Sequence, residues 1–199
     1  MFTPKIFEIK DSMTIEKCIH EFSFATLISA GNTKLDATHL PLLLSKDKTE
    51  LIGHMARPNN QWSQMNSHSV LAIFQGPHHY ISPSWYETMD SVPTWNYVSI
   101  HVYGKFSLTE KESELIQSLE ELVMRYEDQN SKYELSKASS EYLSGLQKGI
   151  VGFKIKIDEI QAKAKLSQNH SPERRANVIK ELNQIDSESS RQIAQWMRD

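Results

Sequence analysis

The sequence predicts a mainly β chain with helical additions, an α+β protein whose strands form a closed or nearly closed antiparallel barrel. Three observations lead there. Short segments with strand character follow one another with few helices between them. Two segments alternate: in "WNYVSIHVYGKF" Val98, Ile100 and Val102 oppose Tyr97, Ser99, His101 and Tyr103, and in "VGFKIKI" Val151, Phe153, Ile155 and Ile157 oppose Gly152, Lys154 and Lys156. A parallel doubly wound sheet would need regularly alternating helices and a glycine-rich phosphate turn, and neither occurs.

The elements follow in order. Asp11 or Ser12 caps a short helix running to about Phe22, with Ile15, Cys18, Ile19 and Phe22 on one face. "FATLISA", a turn at Gly31-Asn32, "ATHLPLLL", a polar turn at "SKDKTE" and "LIGHMAR" predict three successive strands in a meander. "SVLAIFQ" is the next strand, and "GPHHYISPSWY" follows it as a proline-punctuated aromatic loop. The two alternating segments bring the total to at least six strands. A helical insert lies between them: Thr109 and Glu112 form a capping box before "ESELIQSLEELVMRYE", where Leu115, Leu119, Leu122 and Tyr126 make a stripe, and a second helix covers about 137–147. Ser171 followed by Pro172 starts the first of two terminal helices, "PERRANVIKEL" and "SESSRQIAQWM".

Bulk properties limit the function classes. With 199 residues the chain is long enough for one domain with a full core and a helical appendix. The 22 Lys and Arg against 25 Asp and Glu give a net charge of −3, which argues against a protein that neutralises phosphates along DNA. Neither a membrane-spanning run nor a signal peptide is visible, so a cytoplasmic protein is expected. Cys18 is the single cysteine; its helical spacing predicts a buried structural thiol, with no internal disulfide and no thiolate metal cluster.

"GPHHYISPSWY" raises three chemical readings. In extended chain His78 and His79 project to opposite faces and cannot share one metal ion, and no HExxH or carboxylate set accompanies His39, His54 or His101. Serines 82 and 84 lack a nucleophile elbow and an orienting acid, which disfavours a hydrolytic triad. A wall against a flat ligand explains more: Tyr80, Trp85, Tyr86, Trp95 and Tyr97 lie close together, interspersed with Ser82, Ser84, Thr94 and Asn96. A phosphorylated planar ligand would also find "GHMARPNNQW", with His54, Ala56 and Arg57 at a strand end and Asn59 and Asn60 as donors. "AKAKLSQNHS" adds Lys163, Lys165, Ser167, Gln168 and Asn169 just before a helix start.

Together "FATLIS", "ATHLPLLL", "GHMARPNNQW", "IFQGPHHYISPSWY", "VPTWNYVSIHVYG", "GIVGFKI" and "KAKLSQN" resemble the PaiB family of FMN-binding negative transcriptional regulators, in the family's order and over nearly the whole chain. The resemblance implies a split antiparallel β-barrel of the FMN-binding type over residues 1–170, including the helical insert at about 109–147. Residues 171–199 would then form a helical extension packed on the barrel. It further implies a homodimer with FMN at the interface. The phosphate falls near His54, Ala56, Arg57 and Asn59, with Lys165, Ser167 and Gln168 from the same or the partner chain; Thr38, His39, Tyr80, Ser82 and Trp85 edge the isoalloxazine. The sequence offers no helix-turn-helix with a basic recognition helix, so any repression is expected to be indirect, through a protein regulator partner or a flavin-dependent signal. Two other readings stand beside this one. One is a small FMN-dependent oxidoreductase using NAD(P)H. The other is a haem-binding split barrel with His39, His54, His79 or His101 as an axial ligand.

Overall fold

The computed structural model describes residues 1–31, 34–88, 90–128 and 130–198. Its elements run α1 (Ser12–Glu21), β1 (Phe24–Ala30), β2 (Leu35–Pro41), β3 (Leu43–Leu44), β4 (Glu50–Ala56), α2 (Gln61–Met65), β5 (Ser69–Ile81) and β6 (Thr94–Leu108). They continue with α3 (Glu112–Tyr126), α4 (Ser140–Gly149), β7 (Ile150–Lys165), α5 (Pro172–Gln184) and α6 (Glu188–Trp196). The seven strands form one sheet in the order β2-β1-β5-β6-β7-β4-β3. β2 and β3, at the two ends of that order, are successive pieces of one segment broken at Leu42, whose N–H donates to the Ser23 carbonyl (2.9 Å). The sheet order therefore returns to its own start, as a barrel requires.

Two compact units can be distinguished, 1–18 with 74–101 and 161–199, and 19–73 with 102–160. In the first, Phe74, Ile81, Val98 and Ile100 are buried, and α5 and α6 pack on each other through Val178, Leu182, Ile193 and Ala194. Cys18 is buried in the same unit. In the second, β1 and β2 pair with Leu27 opposite Thr38 and Thr26 opposite His39, and β4 pairs with β7 with Gly53 opposite Phe153. Its core includes Leu27, Leu51, Val102, Phe106, Phe153 and Ile155; the rings of Phe106 and Phe153 stack with centroids 4.9 Å apart.

Local signals account for most boundaries. Asp11 is the cap chosen for α1, its carboxylate accepting from the Thr14 N–H (2.8 Å). Ser171 caps α5 by accepting from Arg174 N–H, with Pro172 in the first turn. The polar turn after β3 closes with Lys48 at φ 64°. The turn expected at Gly31-Asn32 lies partly outside the described residues.

The meander of the first three predicted strands forms, with a break at Leu42: β2 pairs with β1, and β3, the last part of the same segment, pairs with β4, whose other edge pairs with β7. Other expectations need correction. "GPHHYISPSWY" is not a loop throughout, because β5 continues to Ile81 and only Pro83–Trp85 turns, as a 3-10 helix capped by Ser82. The capping box at Thr109 does not form. Lys111 holds the N-cap position without a side-chain bond, while Thr109 N–H is tied to the Gly152 carbonyl (2.9 Å) as a continuation of the strand pairing. The last strand runs to Lys165, eight residues beyond the expected "VGFKIKI". Leu135–Lys137 is a 3-10 turn, and α4 begins only after Ser139, which accepts from Tyr142 N–H.

Candidate functional site

The candidate residues fall into two groups, one in each unit. In the second unit the segment after β4 is tied to β1 and β2 by a polar network centred on Gln61, a buried residue at the start of α2. Its amide nitrogen donates to the Leu27 carbonyl, Ser29 Oγ and the Asp36 carbonyl at 3.0 to 3.2 Å. Its amide oxygen accepts from Thr38 Oγ1 at 2.5 Å, and Thr38 in turn accepts from Asn59 Nδ2 at 2.8 Å. Thr38 and Asn59 are thus brought together, through a residue that the sequence reading left out. Arg57 is engaged elsewhere: Nε donates to the Lys148 carbonyl (2.7 Å), and one terminal nitrogen to those of Gln147 (3.3 Å) and Ile150 (2.7 Å). It satisfies carbonyls at the C-terminal end of α4. His39 is exposed and bonded to Thr26 Oγ1 (3.0 Å), and Ala56 is exposed at the strand end.

His54 stands apart from these. β4 buries Leu51, Gly53 and Met55 on one face, and His54 lies on the other, lining a cavity with residues of α3 and α4. Its Nδ1 is buried without a hydrogen-bond partner, and burial lowers the pKa of the ring. In the unfolded chain the ring protonates as pH falls through about 6.5, whereas in the folded chain it stays neutral to lower pH. Stability held above pH ~6.5 is therefore lost progressively as pH falls toward the depressed folded value. His54→Phe should flatten that loss; melting temperatures measured from pH 7.5 to 5 check it, and an unchanged slope would exclude the assignment.

In the first unit Lys165, Ser167, Thr94, Asn96, Tyr86 and His170 line a cavity of about 440 Å³. Ser167 is buried at φ 61°, a left-handed conformation costly for a side chain with a Cβ. Gln168 maintains this turn: its side-chain oxygen accepts from Leu166 N–H (2.7 Å) and its nitrogen donates to the Ala164 carbonyl (2.6 Å). The reversal between β7 and α5 sets Ser167 Oγ against the fully buried Asn96 amide (3.1 Å), which also reaches Met197 Sδ (3.4 Å). Gln168 therefore shapes the cavity wall and is not itself a lining group.

Lys165 Nζ donates to Thr94 Oγ1 and to the Trp95 carbonyl (3.1 Å), and among the described residues it forms no ion pair. Burial, then the neighbouring Lys163 charge, hold its pKa below the ordinary lysine value. Lys163 is occupied by the Phe2 carbonyl (3.1 Å) and lies 5.1 Å from the Tyr97 ring centroid. The Tyr86 hydroxyl is buried without a hydrogen-bond partner, its ring flanked by the Arg174 guanidinium at 4.7 Å and His170 at 5.6 Å. A desolvated ammonium, an unused phenol and an amide–hydroxyl pair make a donor-rich setting for an anionic oxygen group. Tyr86 went unrecognised as a member of this set because it is nearly eighty residues from Lys165, and His170, inside the quoted "AKAKLSQNHS", was passed over for its lysines and amides.

The aromatic segment is ordered by strand alternation. His78 and Tyr80 both meet Trp95, at 6.2 and 6.0 Å, while His79 meets Trp85 at 6.4 Å. Ser189 Oγ donates to the His78 carbonyl (2.6 Å) and accepts from its N–H (3.1 Å), fixing β5 to the start of α6. Tyr80 and Trp95 keep 41% and 52% of their surface exposed, leaving ring faces available to a flat ligand. Ser82 is used as the cap of the 3-10 turn that carries Trp85. Among the described residues no three His, Cys, Asp or Glu side chains converge as a metal site, and no helix is long and apolar enough to cross a membrane.

Comparison with known proteins places this geometry in context. A family model described as "Putative FMN-binding domain" matches residues 1–159. The "Protease synthase and sporulation protein PAI 2" of Bacillus subtilis (strain 168) is 41% identical over 203 residues, covering 100% of this chain and 97% of its own. Among solved structures, the flavocytochrome Anf3 from Azotobacter vinelandii superposes with a TM-score of 0.65 at 12% identity, over 85% of this chain and 75% of that one. The FAD and heme binding protein from Mycobacterium smegmatis gives 0.63 at 11% identity, over 85% and 78%. At these identities the structural matches speak for the fold, an α+β split barrel.

Proposed function

This chain belongs to the PaiB family of FMN-binding domains, and we propose that it is an FMN-binding regulatory protein that acts as a homodimer and affects transcription indirectly. The observation that supports FMN most directly is Lys165: a cation held partly out of water, without an ion pair among the described residues, in a cavity whose wall carries several neutral donors and one carboxylate, Asp90. A phosphate supplies the counter-charge such a group lacks. Lys165, with Thr94, Asn96, Ser167 and Tyr86, would hold the phosphate end. Tyr80, Trp85 and Trp95 would edge the ring. When bound, FMN supplies a ring that accepts and returns electrons.

The indirect route has a physical basis in the C-terminal helices. Two arginines at the start of α5 are already occupied: Arg174 makes a bidentate pair with Glu87, at 2.6 Å to one carboxylate oxygen and 3.2 Å to the other, and Arg175 donates to the Met197 carbonyl at 2.6 Å. With a net charge of −3 the chain lacks the phosphate-neutralising surplus of a DNA binder. The Bacillus subtilis relative is named for sporulation, which supports regulation over a housekeeping reaction. The test is a visible spectrum of the purified chain before and after FMN is added and the excess removed, followed by titration with promoter DNA. A retained flavin band without salt-sensitive DNA binding is expected. A chain that ignores FMN would remove the cofactor reading. Tight, salt-sensitive DNA binding would remove the indirect route, and steady NAD(P)H consumption by the FMN-loaded chain alone would favour an oxidoreductase.

A further inference from the structure

We propose that the cavity beneath the helical insert is a binding site for a small organic cation, an alkyl- or arylammonium ion held by tyrosine faces, the Glu127 carboxylate and His54. The site does not depend on the flavin reading. Its volume is about 370 Å³, and its wall includes His54, Leu122, Tyr126, Glu127, Tyr133 and Tyr142. That size and lining suit a compact apolar body with one polar end.

Four features point to a positive charge on that end. Tyr126, Tyr133 and Tyr142 keep 56%, 46% and 53% of their surface exposed, an unusual concentration of accessible rings whose faces attract cations. The Arg125 guanidinium already lies 5.9 Å from the Tyr126 centroid, which leaves Tyr133 and Tyr142 for a ligand. Glu127 brings a carboxylate at the C-terminal end of α3, where the last carbonyls add partial negative charge. The insert as a whole is acidic: residues 109–149 hold nine Asp and Glu against five Lys and Arg, an excess larger than that of the entire chain.

His54 supplies the polar anchor. Its ring lines the cavity, and its Nδ1 is buried without a partner, so a ligand N–H that shifts the neighbouring side chains enough to reach it would satisfy a group that the protein leaves unpaired. Burial keeps the ring neutral, which removes the repulsion a protonated imidazole would exert on a cation. Tyr126 is held by a hydrogen bond to Ser23 Oγ (2.6 Å) and gives the site one rigid wall.

The test is calorimetric titration of the full chain at pH 7.5 with three probes of one shape: hexylammonium, 1-hexanol and hexanoate. Hexylammonium is expected to bind once per chain, about tenfold more tightly than hexanol, with no heat from hexanoate. Glu127→Gln and Tyr142→Ala, both at exposed positions, should each weaken hexylammonium several-fold while leaving the far-ultraviolet spectrum unchanged. Nuclear magnetic resonance signals of the His54 ring should shift on saturation. Equal binding of hexanol would overturn the charge assignment. No hexylammonium binding at millimolar concentration, or binding indifferent to both variants, would overturn the site.

Discussion

Lys165→Met should bind FMN about 30- to 100-fold more weakly than the unchanged chain, the loss expected when one charge-assisted contact of roughly 2 to 3 kcal/mol disappears. Methionine keeps most of the length of the side chain while removing its charge and its donors to Thr94 and the Trp95 carbonyl, so the cavity wall stays filled. The dependence on pH gives a second readout. In the free chain Lys165 has a pKa held down by burial and by Lys163; an adjacent phosphate dianion favours the ammonium and raises it. Binding therefore favours protonation, and affinity falls as pH rises through the depressed free-chain value. Lys165→Met should lose this alkaline limb as well as the affinity. Arg57→Ala should behave differently: with its donors on the carbonyls at the end of α4, its removal should quicken amide exchange in that helix and change FMN affinity less than Lys165→Met does. The opposite ranking, with Arg57 dominant, would move the phosphate to the strand-end segment. Fluorescence quenching of free FMN during titration measures the affinities and their pH dependence, and hydrogen exchange measures the loosening of α4.

What the sequence made legible, and what it hid, follows from the range of each signal. Strands marked by alternation, such as the one carrying Val98, Ile100 and Val102, are found where expected, because period 2 is written in adjacent residues. Caps at Asp11 and Ser171 are equally local. Strand order beyond neighbours is not: "LIGHMAR" pairs with the end of "ATHLPLLL" as the meander predicts, but its other edge pairs with β7, a hundred residues further on. The reach of β7 to Lys165 was hidden because "IDEIQAKAK" mixes charges without clean alternation. In the site, Lys165 and Ser167 were nameable from their segment, whereas Tyr86 comes from a distant stretch of sequence and joins them only in the folded chain. Gln61 was invisible for a related reason: a glutamine looks like surface until three acceptors from β1 and β2 surround its amide.

Gly104→Ala should cost about 3 kcal/mol or more, among the largest effects of any single methyl group in this chain. Gly104 lies on β6, and a Cβ there would meet the Lys156 carbonyl oxygen at 2.3 Å and Ile155 Cγ2 at 2.7 Å. The first contact decides the magnitude. A side chain such as Ile155 can turn away, but Lys156 O belongs to β7, and moving it displaces a strand that also pairs with β4. The methyl group must therefore push two strands apart locally. Gly145→Ala provides the opposite case with the same chemical change. No atom lies within 4 Å of a Cβ at that position, and Gly145 sits inside α4, so alanine should stabilise by roughly 0.5 to 1 kcal/mol through helix propensity alone. Urea unfolding of both variants should give midpoints shifted in opposite directions. A Gly104→Ala midpoint close to that of the parent would mean that β6 and β7 separate without resistance, and that close backbone approach is not the reason for glycine at this position.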